Sequence, residues 1–161
     1  MEYITGAGIL TGVAVVAAIV VGIIVLFVVV PKLVLKGMAP SLERRIARAY
    51  SPDQIVLKDL EALTFGLQSR GVFQGRGNGA LVLTEDELGW FRFVPERTDL
   101  RIPRENITNV DVVKSHLGKT YRRDLLRVTF THDGKPDSMA WYVPDLATWL
   151  SKLGESAKTA R

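Results

Sequence analysis

The chain has 161 residues, of which 24% are charged and none is cysteine, and its formal net charge is +4. Once an apolar N-terminal stretch is set aside, this length leaves room for one domain of about 100 residues with a single core. The lack of cysteine excludes a disulfide framework and thiolate chemistry.

The first predicted element is a membrane-spanning helix. Residues 3–31 contain no charged side chain, and this run is longer than the roughly 20 residues needed to cross a hydrocarbon core. In lipid the backbone polar groups must be satisfied within the segment, so a helix is required despite the many valines and isoleucines. We therefore predict a transmembrane α-helix over about residues 8–30. A cleaved signal peptide is the alternative, and the acidic start and long apolar core disfavour it.

The positive charge lies directly after this helix. Residues 32–50 carry five Lys/Arg against one Glu, whereas residues 51–161 carry sixteen Lys/Arg against fifteen Asp/Glu. A nearly neutral domain disfavours nucleic acid as a partner, and cations beside a span indicate anionic headgroups. Because Lys and Arg stay on the cytoplasmic side, we predict a single-pass cell-membrane protein with its N-terminus outside and its C-terminal domain cytoplasmic. The predicted headgroup contacts are Lys32, Lys36, Arg44, Arg45 and Arg48.

Small residues recur at intervals of four within the predicted span. This spacing puts small side chains on one face of a helix and lets two helices approach closely. The residues are Gly8 and Gly12 in one row, and Ala14, Ala18 and Gly22 in another. They form a candidate homodimer face, and chance is the alternative because Gly and Ala are common in such helices.

Two prolines, Pro31 and Pro40, bracket a predicted exit linker. Ser41 can then cap a short basic amphipathic helix over 42–50. The apolar residues and the arginines of this helix lie on different sides, so it either rests in a membrane interface or forms a solvated linker.

After this helix the pattern becomes strand-like. Ser51-Pro52-Asp53-Gln54 has the spacing of a capping box and predicts a short helix to about Leu60. Alternating apolar residues between turns then predict seven short strands, at 63–67, 80–84, 87–94, 99–102, 107–114, 125–131 and 138–143. Asp145 caps a final amphipathic helix that Gly154 ends. The predicted divisions are an anchor at 1–31, a basic juxtamembrane segment at 32–59, a small mainly-β domain at 60–154 and a flexible tail at 155–161.

Several short motifs accompany these strands. They are Gly77-Asn78-Gly79-Ala80-Leu81-Val82-Leu83-Thr84, Leu88 to Phe93, Leu100-Arg101-Ile102-Pro103, Ile107, Val110, Leu125 to Phe130, and Trp149. With the order of seven strands and a closing helix, they make the chain resemble the pleckstrin-homology (PH) superfold in its bacterial and GRAM-like forms. The resemblance implies a seven-stranded, partly open β-barrel capped by the C-terminal helix, and a non-catalytic module for lipid headgroups or protein segments. In some eukaryotic members phosphoinositides are bound by basic residues of the first strand and first hairpin loop; here that loop has Arg70 and Arg76, with Lys58 upstream.

The best candidate ligand site is a basic run around the predicted loop 115–124. Its cations are Lys114, Lys119, Arg122 and Arg123, with no acid between them. If they project together from a loop, they form an anion or lipid-headgroup site, worth about 1 kcal/mol per basic residue near an anionic surface. An ordinary solvated loop, partly neutralised by Asp111 and Asp124, is the alternative.

The remaining motifs predict no catalysis. Residues 75–79, GRGNG, could cradle a phosphate, but a strand follows them and the Walker lysine is missing, so a loop with positive φ at its glycines explains them better. His116 and His132 lack metal-ligand spacing. We therefore predict no enzyme, metal or cofactor, and a membrane-bound scaffold or lipid-binding module. The alternative is a protein-recognition adaptor that binds a membrane-protein partner through the barrel groove or a sheet edge.

Overall fold

The computed structural model describes residues 6–93 and 99–159, with side-chain surroundings described for 12–30, 40–93 and 99–154. The chain divides into two compact units, Met1–Pro40 and Ser41–Arg161. The first unit is helical and the second contains the β-structure.

The first unit contains the apolar helix that the sequence predicts. Helix α1 spans Gly6–Ile24, a π-helical turn follows at Val25–Val29, and helix α2 spans Val30–Ala49. Within the described residues, one window, Gly12–Val29, is long and apolar enough to cross a membrane. Its length and composition are consistent with membrane anchoring.

Helix α2 replaces the predicted linker between the two prolines. The backbone remains helical through Pro31 and Pro40, and it ends only at Ala49. Pro40 has no N–H and removes one hydrogen bond from the helix interior. The flanking residues keep their helical conformation, so the prediction of a break at this point is wrong.

The second unit is built on one antiparallel sheet of seven strands. Their bounds are β1 Ile55–Leu67, β2 Gly77–Thr84, β3 Glu87–Arg92, β4 Leu100–Pro103, β5 Ile107–His116, β6 Lys119–His132 and β7 Lys135–Tyr142. The order in the sheet is β4-β3-β2-β1-β7-β6-β5. Helix α3, Leu146–Thr159, follows the last strand. This confirms the predicted mainly-β fold, an open sheet with a C-terminal helix, and it is compatible with a PH-like fold.

The main core lies between the inner face of the sheet and helix α3. Three tryptophans from β3, β7 and α3 are almost fully buried there, namely Trp90, Trp141 and Trp149. Burying each large apolar side chain contributes roughly 1.5–3 kcal/mol. Because Trp149 and Leu153 both face this core, the helix closes the open end of the sheet.

Strand β1 begins earlier than the sequence predicts. The capping-box contact forms, with the Ser51 N–H donating to Gln54 Oε1 at 2.9 Å. It closes only a 3₁₀ turn at Pro52–Gln54, and the next residue, Ile55, already pairs with Thr84 of β2. The predicted helix to Leu60 is wrong because pairing with β2 satisfies the backbone of this segment as a strand.

Helix α3 begins as predicted but does not end at Gly154. The Thr148 N–H donates to Asp145 Oδ1 at 3.1 Å, which is the expected N-cap contact. The backbone remains helical to Thr159, so most of the predicted tail continues the helix. A helical glycine costs about 1 kcal/mol relative to alanine, and this cost does not stop the helix here.

The C-terminal part of α2 packs on the outer face of the sheet. Its residues Leu42 and Ile46, together with Tyr50, are buried in a cluster with Ala80, Val82 and Phe91 of β2 and β3. Gly89 leaves room for the ring of Tyr50, since a Cβ there would lie 2.6 Å from Tyr50 Oη. The sequence offered a membrane interface or solvent for this apolar face, and the sheet covers it instead. The second compact unit, which starts at Ser41, accordingly includes this part of α2.

Candidate functional site

The predicted basic loop is a β-hairpin. Strands β5 and β6 are joined by a two-residue turn, Leu117-Gly118, whose φ angles are 51° and 71°. Two positive φ values are the signature of the type I′ turn that favours tight hairpins. Ser115 pairs with Thr120 beside this turn. The prediction of a long loop over 115–124 is wrong, and its basic residues lie on paired strands.

Two of the four predicted cations are bound by the protein itself. Lys114 forms an ion pair with Asp124. Lys119 Nζ donates to the carbonyl oxygen of Phe65 at 3.3 Å. Of the four, Arg122 and Arg123 are exposed and take part in neither contact, and Lys114 is exposed beside its partner Asp124.

Arg122 and Arg123 line a shallow groove with a third arginine from a different part of the chain. The groove, which we call the arginine groove, is formed by Arg76, Thr120, Tyr121, Arg122 and Arg123. These five residues supply three guanidinium groups and no carboxylate. The positive charge is therefore unopposed within the groove lining.

Arg76 is fixed in the groove by two contacts. It lies between β1 and β2, and its Nη2 donates to the carbonyl oxygen of Thr120 at 2.7 Å. Its guanidinium carbon lies 5.1 Å from the centre of the Phe65 ring, within the range of a cation–π interaction. The first hairpin loop and the β5–β6 hairpin are thereby joined. The sequence predicts Arg76 only as a basic residue of the first hairpin loop, because no local pattern indicates its contact with Thr120.

An aromatic platform supports the groove. Tyr121 packs against Phe65 and Tyr142, with ring centres 6.0 and 4.9 Å apart. Phe65 is fully buried with Leu125 and Ala140. This cluster is on the outer face of the sheet, since Ala140 precedes the core residue Trp141 on β7. The groove therefore lies on strands whose side chains are packed into the domain.

His116 ties the hairpin to β1. It is buried, and its Nε2 lies 3.1 Å from the carbonyl oxygen of Gly66. A carbonyl only accepts, so Nε2 carries the hydrogen. Burial lowers the pKa of His116, and the charges of Arg127 and Lys119 lower it further, while the Gly66 contact and Asp137 oppose this shift. The imidazole is therefore held neutral.

The other histidine, His132, is exposed at the β6–β7 turn. Its Nε2 lies 3.7 Å from Asp133 Oδ2. Within the described residues, no group of three or more His, Cys, Asp and Glu side chains could hold a metal ion.

The predicted juxtamembrane cations have different surroundings. The side chains of Lys32 and Lys36 lie outside the described residues, and Arg44 and Arg48 are exposed on α2. Arg45 is held by the domain, because its Nη1 donates to the Arg92 carbonyl oxygen at 2.8 Å and its guanidinium pairs with Asp99. Contact of these cations with headgroups stays a prediction.

The small residues of the candidate homodimer face all lie on helix α1. The surroundings of Gly8 are outside the described residues, whereas Gly12, Ala14, Ala18 and Gly22 are exposed. Packing of this face against a second copy stays a prediction.

The glycine-rich run 75–79 serves strand pairing. Strand β2 begins at Gly77, and neither Gly75, Gly77 nor Gly79 has a positive φ, contrary to the expected loop. A Cβ at Gly79 would clash with the carbonyl oxygen of Phe91 on the neighbouring strand. Glycine is needed here because two backbones approach closely.

Comparison of the chain with models of known protein families gave no match, and comparison with curated proteins gave no significant match. The structure shows a mainly-β domain, an open antiparallel sheet with a C-terminal helix that is compatible with a PH-like fold. This domain carries an arginine groove, and an apolar helix lies near the N-terminus of the chain.

Proposed function

We propose that this chain is a single-pass membrane protein whose bacterial PH-like or GRAM-like domain is a non-catalytic interaction or scaffold module. In this proposal the N-terminus faces outside, and the domain contacts anionic lipid headgroups at the cytoplasmic face of the cell membrane. The observation that carries the proposal is the arginine groove, because three arginines from the β1–β2 loop and strand β6 converge there with no carboxylate in the lining.

The chemistry of the groove suits a phosphate group. Guanidinium groups bind phosphate oxygens in a bidentate manner and remain charged at any physiological pH. Arg122 and Arg123 are exposed, and the contact with Thr120 already holds Arg76 in place. Less side-chain freedom is therefore lost when an anion binds.

The expected affinity is low for the domain alone. Three cations near an anionic surface contribute roughly 1 kcal/mol each. A membrane tether converts this weak contact into an intramolecular one with a high effective concentration. The apolar helix ahead of the domain supports such a tether.

Hydrogen–deuterium exchange of the full chain in lipid nanodiscs tests the proposal. We expect the amides of residues 119–123 to be protected in nanodiscs that contain phosphatidylglycerol and not in nanodiscs of phosphatidylcholine. High salt should remove this protection, because it screens exposed charges.

A pair of double variants provides the control. Arg122→Gln/Arg123→Gln should abolish the lipid-dependent protection. Lys135→Gln/Lys152→Gln removes the same charge from exposed positions outside the groove lining and should leave it intact. Equal loss of protection in both variants, or no protection in the unaltered chain, would refute binding at this site.

A protein partner at the edge of the sheet is the second candidate. Strand β5 is ten residues long and occupies one end of the sheet order, and its Val112 is 43% exposed. Such an edge can accept an added strand. Crosslinking in native membranes from a photoreactive residue at position 112 should then capture a stoichiometric partner, and capture of none would exclude this mode.

A further inference from the structure

The tip of the β1–β2 loop presents two adjacent apolar side chains to solvent. Phe73 is 101% exposed and Val72 is 52% exposed. A single exposed hydrophobic residue is ordinary on a protein surface. Here a phenylalanine is as accessible as in an extended chain, whereas the tryptophans of the domain are buried.

The loop that carries this tip is held by a side-chain clamp. Gln74 Oε1 accepts the N–H of Leu67 at 3.0 Å, and Gln74 Nε2 donates to the carbonyl oxygens of Leu67 and Gly71 at 2.6 and 2.7 Å. Leu67 in turn pairs with Met139 of β7. The exposure of Phe73 is therefore a property of a closed turn anchored to the sheet.

Two arginines flank the tip. Arg70 is exposed three residues before Phe73, and Arg76 follows three residues after it and lines the arginine groove. Apolar side chains at a bilayer surface enter the boundary between headgroups and acyl chains. Arginines beside them keep their guanidinium groups at the level of the phosphates. The tip has both features, since its apolar side chains have arginines on either side in the sequence.

We propose that Val72 and Phe73 form an apolar insertion tip that enters the headgroup–acyl boundary of a lipid bilayer, beside the arginine groove. The inference rests on the proposed membrane function and deepens it. A lipid surface fits better than an apolar protein pocket, because the tip is flanked by cations and the same chain carries an apolar helix long enough to cross a membrane.

The absence of cysteine allows a direct depth measurement on the full chain. A spin label on Val72→Cys, in nanodiscs containing phosphatidylglycerol, should be more accessible to oxygen than to a water-soluble nickel complex. A label on Glu85→Cys is the control. Glu85 follows β2 at the end opposite the β1–β2 loop, about 26 Å away for eight residues in a strand, and its label should stay in water.

The role of the aromatic ring is tested by adding Phe73→Ser to Val72→Cys. We expect the label to return to water, with no change in the thermal unfolding of the domain, because Phe73 is fully exposed. A label at residue 72 that stays in water, or that remains immersed without the ring, would overturn the proposal. Burial of the label only when a second protein is present would also overturn it.

A third label, on Thr120→Cys in the groove, separates the two proposals. If it approaches the phosphates while the label at residue 72 stays in water, the insertion tip is refuted and headgroup binding stands. If the label at 72 is immersed, at low and high salt alike, while the label at 120 does not respond, the insertion tip stands and headgroup binding is refuted.

Discussion

Arginine side chains join distant parts of this domain. Arg45 connects helix α2 to Arg92 and Asp99, and Arg76 connects the first hairpin loop to Thr120. Arg104 donates to the carbonyl oxygens of Thr84 and Lys152 at 2.9 and 3.1 Å. A basic residue in the sequence can thus serve the fold instead of a ligand.

Because some basic residues bind other parts of the domain, the sequence predicts only part of the candidate site. Arg122 and Arg123 were predicted, and both line the groove. Lys114 and Lys119 were predicted with them, and their ammonium groups bind Asp124 and the Phe65 carbonyl instead. Arg76 lies forty-four residues from Thr120 in the chain, and no local pattern shows that contact.

The buried His116 makes the stability of the domain depend on pH. Its pKa is lowered, chiefly by burial, so below the ordinary imidazole value of about 6.5 the unfolded chain takes up a proton more readily than the folded chain. The contribution of this group to stability should be complete above this value and should be lost progressively as the pH drops below it toward the lowered pKa. Urea unfolding of the full chain in detergent, followed by the fluorescence of the buried tryptophans, measures this.

The two histidines provide a matched comparison. His116→Gln keeps an N–H for the Gly66 carbonyl and cannot titrate, so it should flatten the pH dependence. His132→Gln, at an exposed position, should leave it unchanged. A pH dependence that is the same in all three proteins would exclude His116 as its source.

Helix α2 is the element whose packing against the sheet could not be predicted from the sequence. Alternation of apolar residues predicted the strands because one face of each is buried. The same logic identified the apolar face of α2 but could not say what covers it. Residues 55–60 likewise form a strand because they pair with β2, although the capping contact that predicts a helix does form just before them. Both outcomes depend on contacts between distant segments.

The packing of α2 on the sheet predicts that the domain loses stability when this face is altered. Ile46 is 2% exposed, and Ile46→Ala should cost about 2–4 kcal/mol through lost burial and a cavity. Arg48→Ala, two residues further on and exposed, should change stability by about 0.5 kcal/mol at most. Urea unfolding followed by tryptophan fluorescence measures both, and an equal effect of the two changes would contradict the packing described here.

At the scale of the whole molecule, the chain combines an apolar N-terminal helix with a mainly-β domain that is compatible with a PH-like fold and lies in the compact unit beginning at Ser41. The domain presents an arginine groove and an exposed apolar tip. Both surfaces suit a lipid interface, and a location at the cytoplasmic face of a membrane would give each of them a ligand. That location is the central claim of the proposed function.

The most direct test of this claim is the topology of the full chain in vesicles of known orientation. Single cysteines at Glu2→Cys and Lys135→Cys are probed with a membrane-impermeant maleimide, before and after permeabilisation. In right-side-out vesicles we expect Glu2→Cys to react at once and Lys135→Cys to react only after permeabilisation, with the chain resisting extraction by alkaline carbonate. Reaction of Lys135→Cys in intact right-side-out vesicles, or release of the chain by carbonate, would contradict the account.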